Sequence, residues 1–307
     1  MLRRSLALGM ALWLVHPAAA LNETGHKAVA RIAYENLTER ARQAIDALLR
    51  EHPDYDRWIA GAVDDEGLVA FMEASVWPDT IKGDHRFHEG DGSDADTLPG
   101  FPDMERHRNW HFLNRPFNPQ NVPIPPLPAE NAQVKIKEFV AALGSAQAPD
   151  EVKTFQLPWL IHLVGDVHQP LHCSTRYLKT QRRDGNGKFV GDKGGNEVHI
   201  EGVGENLHSY WDGVVGGGTS DNFIRTLAAS ITKSHPADAR RNAGPDVWID
   251  ESFQLVRNSV YGFQGAGTRR DPAVLKQAYR REARRVGRQR VALAGYRLAA
   301  VLNQAFP

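Results

Sequence analysis

Apolar residues recur every three or four positions over most of this chain after residue 20. This spacing places them on one face of an α-helix and is typical of helices that pack against a core. The clearest strand signal is a short run at residues 196–200, after a glycine-containing loop. We therefore expect an all-α, multi-helix fold with one small β-hairpin. The main helices are predicted at residues 25–34, 38–49 (with Thr38 as a cap), 64–74, 130–143, 150–167 and 273–304.

The first 20 residues follow a different pattern. Two arginines precede an apolar run at residues 6–15, and three small alanines end at Ala20. This order is typical of a secretory signal peptide, and the apolar run is too short to cross a bilayer as an anchor. We expect cleavage after Ala20, a single domain over residues 21–307, and a secreted or periplasmic protein without a membrane anchor.

Composition narrows the possible classes of function. The chain has 307 residues, of which 41% are hydrophobic, which is enough for a large core. Its 37 lysines and arginines balance 37 aspartates and glutamates, so a basic coat that attracts polyanions is excluded. Cys173 is the single cysteine, which excludes an internal disulfide and a thiolate-rich zinc site. The 13 histidines leave nitrogen and oxygen ligands as the available metal donors.

The stretch at residues 157–174 carries the strongest chemical signal. His162 and Asp166 stand four positions apart in an apolar run, so in a helix they share one face and can hold one cation. Pro170 ends or kinks this helix, which allows His172 to turn back toward the same site.

The same spacing returns downstream at His208 and Asp212. A lone pair of this kind is more often solvated or hydrogen-bonded than bound to a metal. However, a carboxylate in so apolar a run as that around Asp166 is costly unless a cation or several donors compensate it. The motif contains no lysine or arginine. Two such pairs therefore favour a site with more than one metal ion.

Five short segments with histidines and aspartates lie in order along the chain. They are Gly25-His26, Trp77-Pro78-Asp79 with Lys82, Trp110-His111-Phe112, His162 to His172 with Gly165-Asp166 and Gln169-Pro170-Leu171-His172, and Asn206-Leu207-His208 with Trp211-Asp212. In this order they resemble the zinc-dependent, single-strand-specific nucleases of the S1/P1 type, which share a fold with bacterial zinc phospholipase C. The resemblance covers essentially the whole chain after Ala20.

The resemblance implies three Zn²⁺ ions. The family has tryptophan as its first residue, where this chain has Leu21, but the ligands there are backbone atoms. Cleavage after Ala20 makes His26 the sixth residue, which is where the family has its histidine. One zinc would be bound by Asp79, His111, His162 and Asp166. A second would be bound by His172, His208 and Asp212. A third would be bound by the amino group and carbonyl of Leu21, by His26 and by Asp166, which would bridge it to the first.

The resemblance also implies roles in phosphodiester hydrolysis. Asp79 would bind metal and orient the attacking water as a general base, and Lys82 would assist at the phosphate, with Asn196 as a weaker candidate for that work. Phe112 would stack on the face of a base, which is accessible in a single strand but hidden in a duplex. Asn114 stands where many relatives have an aspartate that contacts the base. Two alternatives stay open: Lys82 as a solvated surface lysine, and Phe112 as ordinary core packing.

The resemblance therefore implies a zinc endonuclease that cleaves single-stranded DNA and RNA to 5′-phosphate products and accepts 3′-mononucleotides. No protein partner is implied. One alternative is a zinc phospholipase C. Two residues argue against it: the last ligand is Asp212, where phospholipases typically have glutamate, and Phe112 suits contact with a base. Another is a non-catalytic zinc-binding or nucleotide-binding protein.

Overall fold

The computed structural model describes residues 21–63, 65–90, 97–202 and 206–307, and the predicted signal peptide at residues 1–20 lies outside them. Most of the described chain is helical, which confirms the predicted all-α class. The α-helices are α1 (Glu23–Tyr34), α2 (Glu39–Arg50), α3 (Tyr55–Ile59), α4 (Glu66–Ala74), α5 (Trp77–Thr80), α6 (Ala132–Leu143), α7 (Asp150–Asp166), α8 (Leu207–Asp212), α9 (Asp221–Ser234), α10 (Pro245–Leu255) and α11 (Gln277–Ala305).

Side-chain caps set the start of several helices. The Asn22 side chain accepts a hydrogen bond from the backbone amide of Gly25 at 3.0 Å, so α1 begins slightly earlier than its apolar pattern predicted. Thr38 accepts from the amide of Ala41 at 3.1 Å, which confirms its predicted role. Residue 64, the predicted start of α4, lies outside the described residues.

The small sheet differs from the expected hairpin. Strands β1 (Arg115–Phe117) and β2 (Ser174–Arg176) pair in parallel, far apart in sequence. Residues 196–200 form no strand: Gly194 and Gly195 turn the chain just before them with φ of 61° and 84°, and Ile200 makes a single bridge to Ala273. That bridge keeps the chain extended at residue 273, so α11 begins at Gln277 and not at 273.

Helix α7 passes through the core and is buried on all sides from Leu157 to Asp166. Helices α1, α2, α4, α5, α6 and α11 surround it, as expected for a helix that is apolar all round. A 3₁₀ helix, Pro170–Cys173, follows at the predicted break. None of the helices in the described ranges combines the length and apolar character needed to cross a membrane.

A buried charge network joins α10 and α11 behind the end of α7. The Arg297 side chain is fully buried and Arg290 nearly so. Both guanidinium groups pair with Glu251, at 2.7 and 2.6 Å. Arg290 also donates to the carbonyl of His168 at 3.2 Å, so the network supports the segment that follows α7. Without the Glu251 carboxylate, two buried cations would lose their counter-charge.

We predict that Glu251→Gln lowers the free energy of unfolding by about 3 kcal/mol, the low end for a buried ion pair because the Glu251 side chain is 30% exposed. Chemical denaturation of wild type and variant measures this. Glu282→Gln is the matched control, since Glu282 pairs with the exposed Arg285, and it should change stability by less than about 0.5 kcal/mol. Equal effects of the two substitutions would contradict a supporting role for the network.

Candidate metal centre

One group of ligands lies where α7 meets α5 and the 3₁₀ helix Arg108–His111. His162 Nε2 is 2.9 Å from His111 Nδ1, and both nitrogens lie 3.1 Å from Asp166 Oδ2. Asp79 Oδ1 lies 3.8 Å from His162 Nε2 and 3.9 Å from His111 Nδ1. Helix α7 therefore places His162 and Asp166, four residues apart as predicted, opposite Asp79 and His111. The nitrogen and oxygen atoms of these side chains are close enough to bind one metal ion together.

The other carboxylate oxygen of Asp166 faces α1. Its Oδ1 atom lies 3.4 Å from His26 Nε2, and the His26 ring stacks on the His162 ring with centroids 4.0 Å apart. A Cβ atom at Gly165 would lie 2.8 Å from His26 Nδ1, so only glycine allows this approach. Asp166 thus presents one oxygen to each of two ligand groups, as a bridging ligand would.

A further group combines α8 with the 3₁₀ helix after α7. His172 Nε2 and His208 Nε2 lie 3.8 and 3.6 Å from the carboxylate oxygens of Asp212. His172 Nδ1 also lies 3.6 Å from Asp166 Oδ1, so all three groups line one pocket. The two His-x-x-x-Asp segments converge.

Leu21 lies beside this pocket. Its side chain is 5% exposed and would be 3.8 Å from a Cβ atom on Gly165. The next residue, Asn22, donates its amide hydrogen to the carbonyl of Asp212 at 3.3 Å. The start of α1 is therefore fixed between the two His-x-x-x-Asp segments.

Backbone carbonyls set the orientation of three histidines. The Nδ1 atoms of His162, His172 and His208 lie 2.8, 2.9 and 2.7 Å from the carbonyl oxygens of Ser75, His111 and Gly194, respectively. In neutral imidazole the nitrogen that donates to a carbonyl carries the hydrogen, which leaves a lone pair on Nε2 for a metal. All three Nε2 atoms face carboxylates in the pocket.

Several buried polar atoms in the pocket lack a hydrogen-bond partner among the described residues. A buried polar atom left unsatisfied costs roughly 1–3 kcal/mol, so a cluster of them requires a ligand. The donors are imidazole nitrogen and carboxylate oxygen, which suit divalent transition metals. The residues present therefore fit a metal centre. The buried atoms without a hydrogen-bond partner are both ring nitrogens of His26, Nε2 of His111 and of His172, and Oδ1 of Asp166.

The pocket keeps two of its carboxylates, those of Asp166 and Asp79, ionised. Burial alone would raise the pKa of Asp166, but the facing His162 and His172 outweigh it and hold the pKa well below its usual range. Burial likewise opposes ionisation of Asp79, yet His162 and the adjacent Lys82 ammonium lower its pKa. Burial lowers the pKa of His111 to about 3, which leaves this histidine neutral and able to bind a cation.

The predicted substrate contacts share a cavity of about 520 Å³ beside the pocket. Phe112, Asn114 and Asn196 all line it, and the Phe112 ring lies 5.2 Å from the His172 ring. Phe112 is half-buried, so its ring is not simply part of the core. Lys82 lies at the metal pocket instead, paired with Asp79 Oδ1.

Comparison with known proteins agrees with this geometry. The S1/P1 nuclease family model matches residues 22–307. The chain belongs to the S1/P1 nuclease family. It is similar to Endonuclease 5 of Arabidopsis thaliana, at 25% identity over 95% of this chain and 93% of the relative. Endonuclease 2 of the same plant is 24% identical over 96% and 94% of the two chains, and Endonuclease 3 is 25% identical over 95% and 91%.

Membership confirms the resemblance seen in the sequence and makes the protein a nuclease, and hence a hydrolase. Nucleases of this family depend on metal, and the three ligand groups provide for it. Nucleic acid is accordingly its class of substrate.

Sequence reasoning missed the residues that hold this nuclease's ligands in place. Gln169 donates a hydrogen bond from Nε2 to Asp212 Oδ1 at 2.8 Å. In the sequence, only its position directly before Pro170 in the ligand segment could have indicated this role. Gly194 was a better signal, because a Cβ atom there would lie 2.6 Å from the carbonyl of Leu171 and would displace the carbonyl that orients His208. Tyr177 and Lys193, which also line the cavity, carried no signal.

His168 stands between the ligands Asp166 and His172 in the sequence but lies outside the ligand groups. His168 is buried, its Nδ1 is 2.7 Å from the carbonyl of Val164, and its Nε2 accepts from Arg297 at 3.0 Å. Burial, with Arg290 and Arg297 nearby, holds its pKa well below the usual range. In this nuclease His168 serves the buried charge network, on the side of α7 away from Asp166.

We predict that chelation with EDTA lowers the Tm of this nuclease by about 10 °C and abolishes its activity. Without metal, the fully buried Asp166 carboxylate faces only histidines, and the free energy of metal binding no longer stabilises the folded state. Calorimetry before and after dialysis, with zinc added back as the control, measures the change. An unchanged Tm with lost activity would show that the metals play no structural part.

Proposed function

We propose that the protein is a trinuclear zinc endonuclease that hydrolyses phosphodiester bonds of single-stranded DNA and RNA to 5′-phosphate products, and that it also acts on 3′-mononucleotides. The observation that carries this is the proximity of three ligand groups, of which one contains Asp166 and the other two approach it through His111, His162 and His172, next to a cavity lined by Phe112. Neither storage nor simple capture of zinc needs such a cavity at the metals.

The residues of these groups would hold three zinc ions, two of which would share the carboxylate of Asp166. When bound, zinc ions neutralise phosphoryl oxygens, activate water at neutral pH and stabilise a leaving oxygen. Every other contribution comes from side chains of this chain. Asp79, His111, His162 and Asp166 would hold the first ion. His172, His208 and Asp212 would hold the second. Leu21, His26 and Asp166 would hold the third.

Asp79 accepts a proton from the attacking water, and Lys82 supplies positive charge at the phosphate. The Asp79 side chain is 17% exposed, whereas Asp166 is fully buried, so Asp79 is the carboxylate that substrate and water can reach. It orients the attacking water and accepts its proton. The Lys82 ammonium, held by its pairing with Asp79, neutralises charge that develops on the phosphoryl oxygens.

Selectivity for single strands follows from the cavity around Phe112. An unpaired base can lie on the ring face, but a base in a duplex is stacked and cannot. Asn114 has φ of 56° and its Oδ1 accepts from the Thr175 hydroxyl at 3.0 Å, which leaves its amide hydrogens free to donate to a base. Asn196 lies across the same cavity, where a phosphate or sugar would pass.

The third zinc site depends on export and cleavage after Ala20. The freed amino group of Leu21 can bind a metal, whereas an amide nitrogen cannot. Asn22 supports this arrangement, because its side chain donates to the carbonyl of Gly216 at 2.7 Å and fixes the start of the mature chain. Amino-terminal sequencing of the exported protein checks the cleavage position.

The test of the proposed function is a comparison of substrates. The zinc-loaded protein should cleave single-stranded DNA and RNA, should cleave duplex DNA far more slowly, and should leave phosphatidylcholine intact. Asp79→Asn is the control and should abolish cleavage, since it removes the proton acceptor. Faster hydrolysis of phosphatidylcholine than of single strands would support a phospholipase C, and no hydrolysis at all would refute an enzyme of either kind.

We predict that Phe112→Ala lowers kcat/KM for single-stranded DNA by about 5-fold to about 150-fold, because base stacking contributes about 1–3 kcal/mol. Steady-state kinetics on a normal dinucleotide and on one without a base at the cleavage site measure this. The variant should match wild type on the abasic substrate, and Phe112→Tyr should match it on both. An equal loss on the two substrates would instead indicate a packing role for Phe112.

A further inference from the structure

Five arginines lie on one side of α11 near its beginning. They stand at relative positions 0, 1, 4, 5 and 8, which places them in two adjacent rows along the helix. Arg281, Arg284 and Arg285 are exposed, and the other two are half-buried. We call this surface the arginine face; it consists of Arg280, Arg281, Arg284, Arg285 and Arg288.

Most of this charge has no counter-charge within the described part of the chain. The Arg281 and Arg284 side chains form no hydrogen bond or ion pair with any described residue. Arg280 donates to a backbone carbonyl at 2.8 Å and Arg288 to a serine hydroxyl at 2.7 Å, and neither acceptor is charged. Only Arg285 has a carboxylate partner, Glu282 at 2.7 Å. In a protein with zero net charge, this is a concentrated patch of positive charge.

The arrangement works against the stability of the helix. Arg280 and Arg284, Arg281 and Arg285, and Arg284 and Arg288 are like charges one turn apart, which repel each other. Cations near the start of a helix also oppose its dipole, and the first turn of α11 contains no acidic residue. Folding alone would favour acidic residues here, so the charge points to an anionic ligand.

The arginine face begins directly behind a helix of the metal centre. Tyr279, adjacent to Arg280, accepts a hydrogen bond from Trp211 of α8 at 2.9 Å. Tyr210 of α8 lies near Arg280 and Arg284, whose positive charges partly offset the rise that burial causes in its pKa. The same helix carries His208 and Asp212 toward the metals. A single helix, roughly 10 Å across, thus separates the arginine face from the site of cleavage.

We propose that the arginine face binds the phosphates of a single-stranded polynucleotide away from the bond that is cut. This proposal rests on the proposed nuclease function and adds a second contact for the same substrate. Long strands then bind both at the metal centre and at the arginine face, whereas a dinucleotide reaches the metal centre only. The contact is electrostatic, so it favours no base sequence and weakens as salt rises.

The test compares Arg281→Gln/Arg284→Gln with wild type, both loaded with zinc. Glutamine preserves helix propensity and removes two charges. On a strand of about 30 nucleotides the variant should raise KM several-fold, and the slope of log KM against log salt should fall by about 1.4, or about 0.7 per lost cation. Activity on a dinucleotide should not change. The Tm should stay the same or rise, because repulsion within α11 is relieved.

The matched control is Arg40→Gln/Arg50→Gln, which removes two exposed arginines from α2 and the same net charge. It should leave KM and the salt slope unchanged on both substrates. An equal effect of the two double variants would overturn the proposal in favour of overall charge. An unchanged KM for long strands, together with lost binding to anionic phosphatidylglycerol vesicles, would overturn it in favour of a membrane contact. Failure of the wild type to cleave either the long strand or the dinucleotide would instead refute the proposed nuclease chemistry.

Discussion

Asp166 carries a carboxylate at a place that water does not reach. No lysine or arginine of the described chain lies within ion-pairing distance of it. Its neighbours are four histidines, His26, His111, His162 and His172, which come from separate segments of the chain. Burial opposes a charge on His162 and His172, yet the facing carboxylates raise the pKa of both, so without metal these two histidines carry the counter-charge. Divalent cations held by the same residues would supply that counter-charge with the histidines neutral. The need to compensate this one carboxylate explains why these segments meet in the core.

The rest of the fold holds those segments in position. Helix α7 brings Asp166 to the centre, and Gly165 and Asn22 allow α1 to approach it closely. The parallel pairing of β1 and β2 joins the chain just after His111 to the chain just after His172, and the amide of Leu113 donates to the carbonyl of His172 at 2.9 Å. The small sheet therefore fixes the relative position of two ligands, which is a role that a hairpin between neighbouring strands could not perform.

The sequence revealed what depends on local spacing. His162 with Asp166, and His208 with Asp212, could be predicted because a helix places residues four apart on one face. Asp79, His111 and His26 came from resemblance to the family, since no local rule joins them to α7. The partners of Glu251 and the carbonyls that orient His162, His172 and His208 could not be predicted. They depend on contacts between segments that are far apart in sequence, and a backbone carbonyl has no sequence signature.

The most direct test is X-ray diffraction at the zinc absorption edge from crystals of the protein that begins at Leu21. We expect three anomalous peaks: one among Asp79, His111, His162 and Asp166, one among His172, His208 and Asp212, and one between His26, Asp166 and the amino group of Leu21. A chain that retains residues before Leu21 should lose the last peak only. A single peak, or none in this pocket, would contradict the claim that Asp166 is the shared ligand of a multinuclear metal centre.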